Sequence, residues 1–246
     1  MNRERLRAAL GTAALFIETR VYPLYYAYFA YKRTRTTWAH FDDARASALG
    51  LMHAHYFASA RIHLLVLFVY AVRFTWVPFC LLTMFALLRR GPSARPPDRP
   101  SDVWIPLAGA TVSSFSDFLI NNFGNLHDLM DDELIPVSPT MIGMSYLLVL
   151  GGRVLSAAGI ICLGRSFSIY IEERPLVRHG VYRWIKHPIY IGYTLSLIGV
   201  LFRNPSLAMT LYLLIAATFF AVRAALEEGR LKAAYPEYGV APDASA

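Results

Sequence analysis

The chain has 246 residues, 56% of them hydrophobic and 17% charged, with a mean hydropathy of +0.38. A charged share below the roughly 25% of soluble domains, combined with long apolar runs, excludes an ordinary water-soluble globule and predicts an integral membrane protein. The net charge of +7 does not signal nucleic-acid binding, because the basic residues form short clusters beside apolar segments, where Lys and Arg set orientation and meet anionic head groups.

Six apolar segments follow in chain order. The first, 8–31, succeeds an N-terminus that resembles a signal n-region, but with no small-residue cleavage site the segment is expected to be retained. Glu18 and Arg20 interrupt it. They stand two apart and do not share a helix face, so each is expected to find a partner or to line a polar cavity. The second segment, 62–88, is interrupted by Arg73 and should be kinked by Pro78, which lacks a donor and clashes with the preceding turn. The Pro-rich stretch 91–100 reads as a stiff linker that only separates spans. A weaker third segment, 103–120, carries Asp117. The fourth, 141–163, holds Gly143, Gly151, Gly152 and Gly159, which permit close helix packing. The fifth and sixth, 188–202 and 206–222, are joined by residues 203–205 alone and form an antiparallel hairpin. Each is short against the about 20 residues of an upright span. Cys80 and Cys162 lie inside apolar runs and read as small hydrophobes.

Loop charge sets the expected orientation. Segment 121–140 has four acidic residues and no Lys or Arg, whereas 164–187 has five Lys or Arg. The asymmetry places 164–187 in the cytoplasm and 121–140 outside. The same count puts 32–61 outside although it carries five basic residues, a conflict that an interfacial helix there would resolve.

Three stretches carry chemistry: "LGRSFS" at 163–168, "RPLVRHGVYRWIKHPIYIGY" at 174–193, and "AVRAALEEGRLKAAYPEYG" at 221–239. Pro188 belongs in the first turn of the fifth helix, where its missing donor costs nothing. Tyr190, Gly192 and Tyr193 follow on the first turns. Gly192 lets a chain or ligand approach closely, and the first-turn donors can take an anionic group. Arg223 and Glu227 are i,i+4 on one face, while Glu228 turns away by about 100°. Carboxylates at that depth can bind ribose hydroxyls, an amine or a protonated partner. No GxGxxG, Walker, HExxH, GxSxG or clustered Cys/His pattern occurs, so no metal site is expected. These residues alone imply a cytoplasm-facing polar pocket and do not select a cofactor.

In order and spacing, 163–168, Leu176 with Val177, Gly180 with Tyr182, 186–192, and Arg223 through Glu228 resemble the isoprenylcysteine carboxyl methyltransferase and phospholipid methyltransferase superfamily. The resemblance covers about 141–240. It implies an all-α, polytopic transmembrane protein with a C-terminal short helical hairpin and a cytoplasmic cofactor pocket. It also implies S-adenosylmethionine, with His179, Gly180, Tyr182, His187, Pro188, Tyr190, Gly192 and Glu228 as the cofactor residues. Arg223 would orient a lipophilic acceptor entering from the bilayer, with Glu227 fixing Arg223 or the acceptor's polar end.

A carboxylate acceptor giving a methyl ester is favoured, since it needs no base. An amine, thiol or phenol would need one, from Glu227, Glu228 or His187. Lys186 and Arg174 replace an arginine and a histidine common in the family, leaving acceptor identity open. A membrane reductase using NADPH and a non-enzymatic lipid-binding protein are the competing readings. Residues 1–140 read as an N-terminal membrane region that can contribute to the acceptor pocket, 141–240 as the catalytic core and 241–246 as a flexible tail. In a prokaryote the location would be the plasma membrane.

Overall fold

A computed structural model of the chain describes residues 3–35, 71–72, 74–94, 96–110, 135 and 138–235. Arg73, Asp117, most of segment 121–140 and the tail 241–246 lie outside them, as does nearly all of 32–61. The loops that set the expected orientation are therefore among the undescribed residues, 164–187 excepted.

The regular elements of the described residues are helices. Helix α1 (Arg3–Phe16) runs through one π-helical turn, Ile17–Val21, into α2 (22–35). Helix α3 (Trp76–Leu88) follows, then α4 (101–110), α5 (Pro139–Leu163), α6 (Pro188–Arg203) and α7 (Leu207–Ala234). Two stretches, Thr140–Ser166 and Leu207–Ala234, are long and apolar enough to cross a membrane, and most of each apolar window is not buried inside the protein. Leu147, Val154 and Ile161 stay exposed along α5, and Leu207, Leu211, Leu214 and Ile215 along α7. Exposed apolar stripes of this length face bilayer rather than water. The protein is an all-α integral membrane protein.

Local chemistry sets the helix ends. Ser138 caps α5 by accepting from the Met141 amide at 3.2 Å, with Pro139 at the first helical position. Ser206 does the same for α7 through the Met209 amide at 3.1 Å. Gly164 ends α5 at φ +50°, a conformation that favours glycine.

Pro78 sits at the third position of α3, and helical structure is interrupted at Thr75, three residues earlier. The break is occupied. Arg153, at the middle of α5, donates to the Val72 carbonyl at 2.5 Å and contacts Thr75 Oγ1 at 2.7 Å, with its guanidinium 5.1 Å from the Trp76 ring centroid. A charge inside an apolar helix thus finds polar partners at the break, where the Val72 carbonyl also accepts from the Thr75 amide.

The tightest seam joins α5 to antiparallel α6. Ser145, Gly152 and Gly159 recur every seven residues on α5 and face Gly199, Gly192 and Ile189. A Cβ at Gly192 would meet the Gly152 carbonyl and come within 2.8 Å of the Ser156 nitrogen; one at Gly199 would stand 2.7 Å from the Ser145 carbonyl. Ser156 Oγ donates to the Ile189 carbonyl at 3.2 Å across the same seam. Among the described residues, Gly143 and Gly151, grouped with the packing glycines on sequence, make no such approach: none lies near Gly143, and Gly151 has only an ordinary contact to Leu195.

Helix α7 corrects the expectation that the last segment ends near 222. It continues unbroken to Ala234 for 28 residues. Ala, Leu, Glu, Arg and Lys dominate 223–234 and all favour helix. The pairs Arg223–Glu227 (3.1 Å) and Glu228–Lys232 (3.5 Å) support it further at i,i+4 spacing. Arg223, Glu227 and Glu228 therefore ride on the membrane helix itself.

Candidate active site

Loop 164–187 carries the site between α5 and α6. It begins with a 3-10 turn, Gly164–Ser166, runs irregularly, and folds into a second turn, Gly180–Arg183, before Pro188 opens α6. Gly180 has φ +60°, and a Cβ there would strike Cys162 Sγ, so this turn needs glycine twice over.

The Pro-rich 91–100 stretch does more than separate spans. Gly91 N donates to the Arg165 carbonyl at 2.8 Å and Ala94 N to the Glu173 carbonyl at 3.0 Å. Just after the stretch, the Asp102 carbonyl accepts from Ile171 N at 3.1 Å. Arg230 on α7 pairs with both Asp98 and Asp102. The linker straps the site loop to the last helix, because extended backbone with free N–H groups must find acceptors when covered.

Beneath the loop lies a cavity of about 500 Å³. Tyr182, His187, Tyr190, Arg223 and Glu227 line it, joined on the polar side by Ser168, Glu172, Arg174, Arg178 and Lys186, while Tyr26, Tyr193, Phe220, Gly109 and Ala110 contribute to the remainder. Arg223 Nε donates to Glu227 Oε1 at 3.1 Å and Nη2 to the Ser168 carbonyl at 3.3 Å; the guanidinium lies 5.2 Å from the Tyr190 ring centroid. The Tyr190 hydroxyl donates to the same Glu227 oxygen. Aromatic faces line up alongside: His187 on Tyr190 (5.7 Å), Tyr190 on Phe220 (6.0 Å) and Tyr193 on Phe220 (5.7 Å). Burial, reinforced by Glu227, holds the Tyr182 phenol well above its ordinary pKa, so it stays protonated.

The sequence-derived site residues divide into three places. Tyr182, His187, Tyr190, Arg223 and Glu227 meet at the cavity. Glu228 reaches His187 Nε2 at 3.2 Å without lining the cavity. His179 and Gly180 sit exposed at the start of the second turn, while Pro188 and Gly192 are buried in the α5–α6 seam, Pro188 against Gly159. Sequence reasoning did not single out Phe220, Tyr26, Gly109 or Ala110. Phe220 had a usable signal, since it precedes Arg223 by three and shares its face. The other three come from distant segments and carry none. No group of three His, Cys, Asp or Glu side chains able to hold a metal occurs among the described residues.

Residues 143–233 match the model of the isoprenylcysteine carboxyl methyltransferase (ICMT) family. This part of the chain is similar to that family. The match begins inside α5 and ends on α7, so it takes in the whole loop, the seam and Arg223 through Glu228. Among relatives, protein-S-isoprenylcysteine O-methyltransferase A of Arabidopsis thaliana is 36% identical over 89 residues, covering 33% of this chain and 45% of the plant protein. A probable protein-S-isoprenylcysteine O-methyltransferase of Oryza sativa subsp. indica is 31% identical over 120 residues, 45% of this chain and 62% of the relative. The Tribolium castaneum protein-S-isoprenylcysteine O-methyltransferase is 34% identical over 134 residues, 50% and 43%. The chain thus spans roughly half the length of these relatives. Tyr26, Gly109 and Ala110 lie outside the ICMT-family segment, so one wall of the cavity is built by sequence that the family model does not describe.

Proposed function

We propose that the protein transfers a methyl group from S-adenosylmethionine to the carboxylate of a lipophilic, membrane-embedded acceptor, forming a methyl ester at a pocket facing the cytoplasm. The observation that carries this reading is the cavity built mostly by the ICMT-family segment, where Arg223 and aromatic rings share one chamber with apolar helix faces. Such a chamber suits a molecule with a charged head and a greasy body. Withdrawing a long tail into water would cost about 0.8 kcal/mol per CH₂, which favours a catalyst inside the bilayer.

The donor set fits the cofactor. Stacked His187 and Tyr190 faces with Glu227 beside them suit a cationic sulfonium next to an aromatic nucleoside. His187, Tyr190 and Tyr182 would hold it, with Glu228 fixing the His187 ring from outside. His179, Gly180, Pro188 and Gly192 support these residues through the turn and the helix seam. When bound, the cofactor supplies an electrophilic methyl group.

The chain's own residues do the rest. Arg223 orients the acceptor carboxylate; its Nε and Nη2 are held by Glu227 and the Ser168 carbonyl, so the guanidinium is fixed before the acceptor arrives. A carboxylate is already nucleophilic at neutral pH, so no proton has to move. Glu227 already accepts from both Arg223 and Tyr190, and this favours a positioning role over that of a base for an amine acceptor. The aromatic walls exclude water.

The test is incubation of purified protein with methyl-labelled S-adenosylmethionine and a farnesylated N-acetylcysteine, or with membrane extract from its source. Label released as methanol by mild base supports a methyl ester. Alkali-stable label on nitrogen, sulfur or phenolic oxygen keeps the methyltransferase and overturns the carboxylate. Binding of NADPH without binding of S-adenosylhomocysteine overturns both.

A further inference from the structure

The N-terminal helix, outside the ICMT-family segment, reaches the active-site loop through one buried carboxylate. Glu18 is fully buried at the π-helical turn Ile17–Val21, where the extra residue of a π turn changes which side chain points inward. Its Oε1 accepts from the Ile169 amide at 2.6 Å and from Ser168 Oγ at 2.8 Å; Oε2 pairs with Arg90. Arg90 also grips Glu172 through both carboxylate oxygens, at 2.8 and 3.0 Å. Arg174 joins Glu172 at 2.9 Å and the Arg165 carbonyl at 2.9 Å. Two carboxylates and two guanidiniums thus balance within one desolvated cluster. Burial pushes Arg90 below its usual pKa and Glu172 opposes that. An uncompensated charge in such a place would be costly, so the cluster specifies its own geometry.

The cluster borders the cavity through Ser168, Ile169, Glu172 and Arg174, and Ser168 is bonded to Arg223 itself. Ser168 gives its hydroxyl to the cluster and its carbonyl to Arg223 Nη2. We infer that Glu18 is a positioning residue for methyl transfer: by clamping Ser168 and Ile169 it sets where the Ser168 carbonyl stands, and hence how Arg223 meets the acceptor. This rests on the reading of Arg223 given above. Glu18 does not itself line the main cavity, whereas its partners Ser168 and Ile169 do; its loss is expected to act through Ser168 on turnover, with cofactor affinity little changed.

The experiment compares wild type with E18Q, E18D and S168A, purified in detergent. Readouts are S-adenosylhomocysteine affinity, kcat with farnesylated N-acetylcysteine, and hydrogen exchange across 164–174. The expected result for E18Q is a kcat at least tenfold lower, S-adenosylhomocysteine Kd within twofold of wild type, and faster exchange at Ile169. S168A should lower kcat in the same direction, and E18D should recover part of it. Unchanged kcat in E18Q overturns the inference, as does an equal fall in kcat and cofactor affinity, which would mark a merely structural residue. If E18Q does not fold, S168A decides by the same two criteria. A wild-type protein that binds the cofactor but methylates no carboxylate overturns the acceptor reading and this inference with it.

Discussion

Arg223 has no slack. Its three neighbours, Glu227, the Ser168 carbonyl and the Tyr190 ring, define the guanidinium plane from three directions. Replacement by Lys keeps charge and loses the planar fork that matches a carboxylate. R223K should therefore lower kcat/KM about 100-fold, the scale of a misplacement near 1 Å, with S-adenosylhomocysteine affinity within a few-fold of wild type by titration calorimetry. A second residue-scale prediction concerns Tyr170. Its hydroxyl is buried and has no hydrogen-bond partner among the described residues, and burial raises its pKa from 10.0 to about 12. Y170F removes that unsatisfied group and should raise stability by about 1 kcal/mol. The sign with pH follows from the raised value: the unfolded chain releases the proton first, so wild type loses stability as pH climbs from 10 toward 12. Thermal unfolding of Y170F across that window should show a smaller alkaline loss.

At the scale of elements, the seam glycines separate by a test that their sequence positions could not supply. G192A forces a methyl into the Gly152 backbone and should destabilise by about 1–3 kcal/mol, as overpacking does. G143A, on α5, meets none of the described residues and should be neutral or stabilising by about 0.5–1 kcal/mol. Melting curves in detergent distinguish them. Much of the helical content was legible because apolar runs and Pro188 are local signals. The helix Thr140–Ser166 and the α6–α7 hairpin follow from them directly. The end of α7 was not legible from apolarity, which stops near 222, whereas the helix continues on propensity and charge pairs. The strap at 91–100 was not legible at all: proline content signals stiffness, but which backbone amides find acceptors depends on a loop seventy residues later.

For the molecule as a whole, the ICMT-family segment is not self-sufficient. Arg230 is held by Asp98 and Asp102 from outside that segment, and Asp102 is almost wholly buried. R230A leaves that carboxylate with the Arg99 amide but without its cation and should cost about 3 kcal/mol, within the range for breaking a buried pair, read as a lower detergent melting temperature. The candidate site shows the same division. Tyr182, His187, Tyr190, Arg223 and Glu227, named on their ordered motifs, lie along the cavity, whereas its polar lining also takes in Glu172, Arg174 and Arg178, which carried no such signal. Tyr26, Gly109 and Ala110 became wall residues only through packing between segments far apart in sequence.

The unbroken course of α7 has a consequence for where in the bilayer chemistry is confined. At 1.5 Å per residue the helix is about 42 Å long, and Arg223 stands about 24 Å along it from Leu207. The hydrocarbon layer is about 30 Å thick. A rigid rod anchored by its lipid-facing leucines therefore acts as a depth gauge, holding the guanidinium at one height below or at the head groups. Under the proposed reaction, an acceptor would then be selected by how far its carboxylate sits from the end of its own tail, as well as by its shape. Membrane thickness itself becomes a variable of the reaction: lipids that tilt the rod move the reacting height away from where the acceptors float.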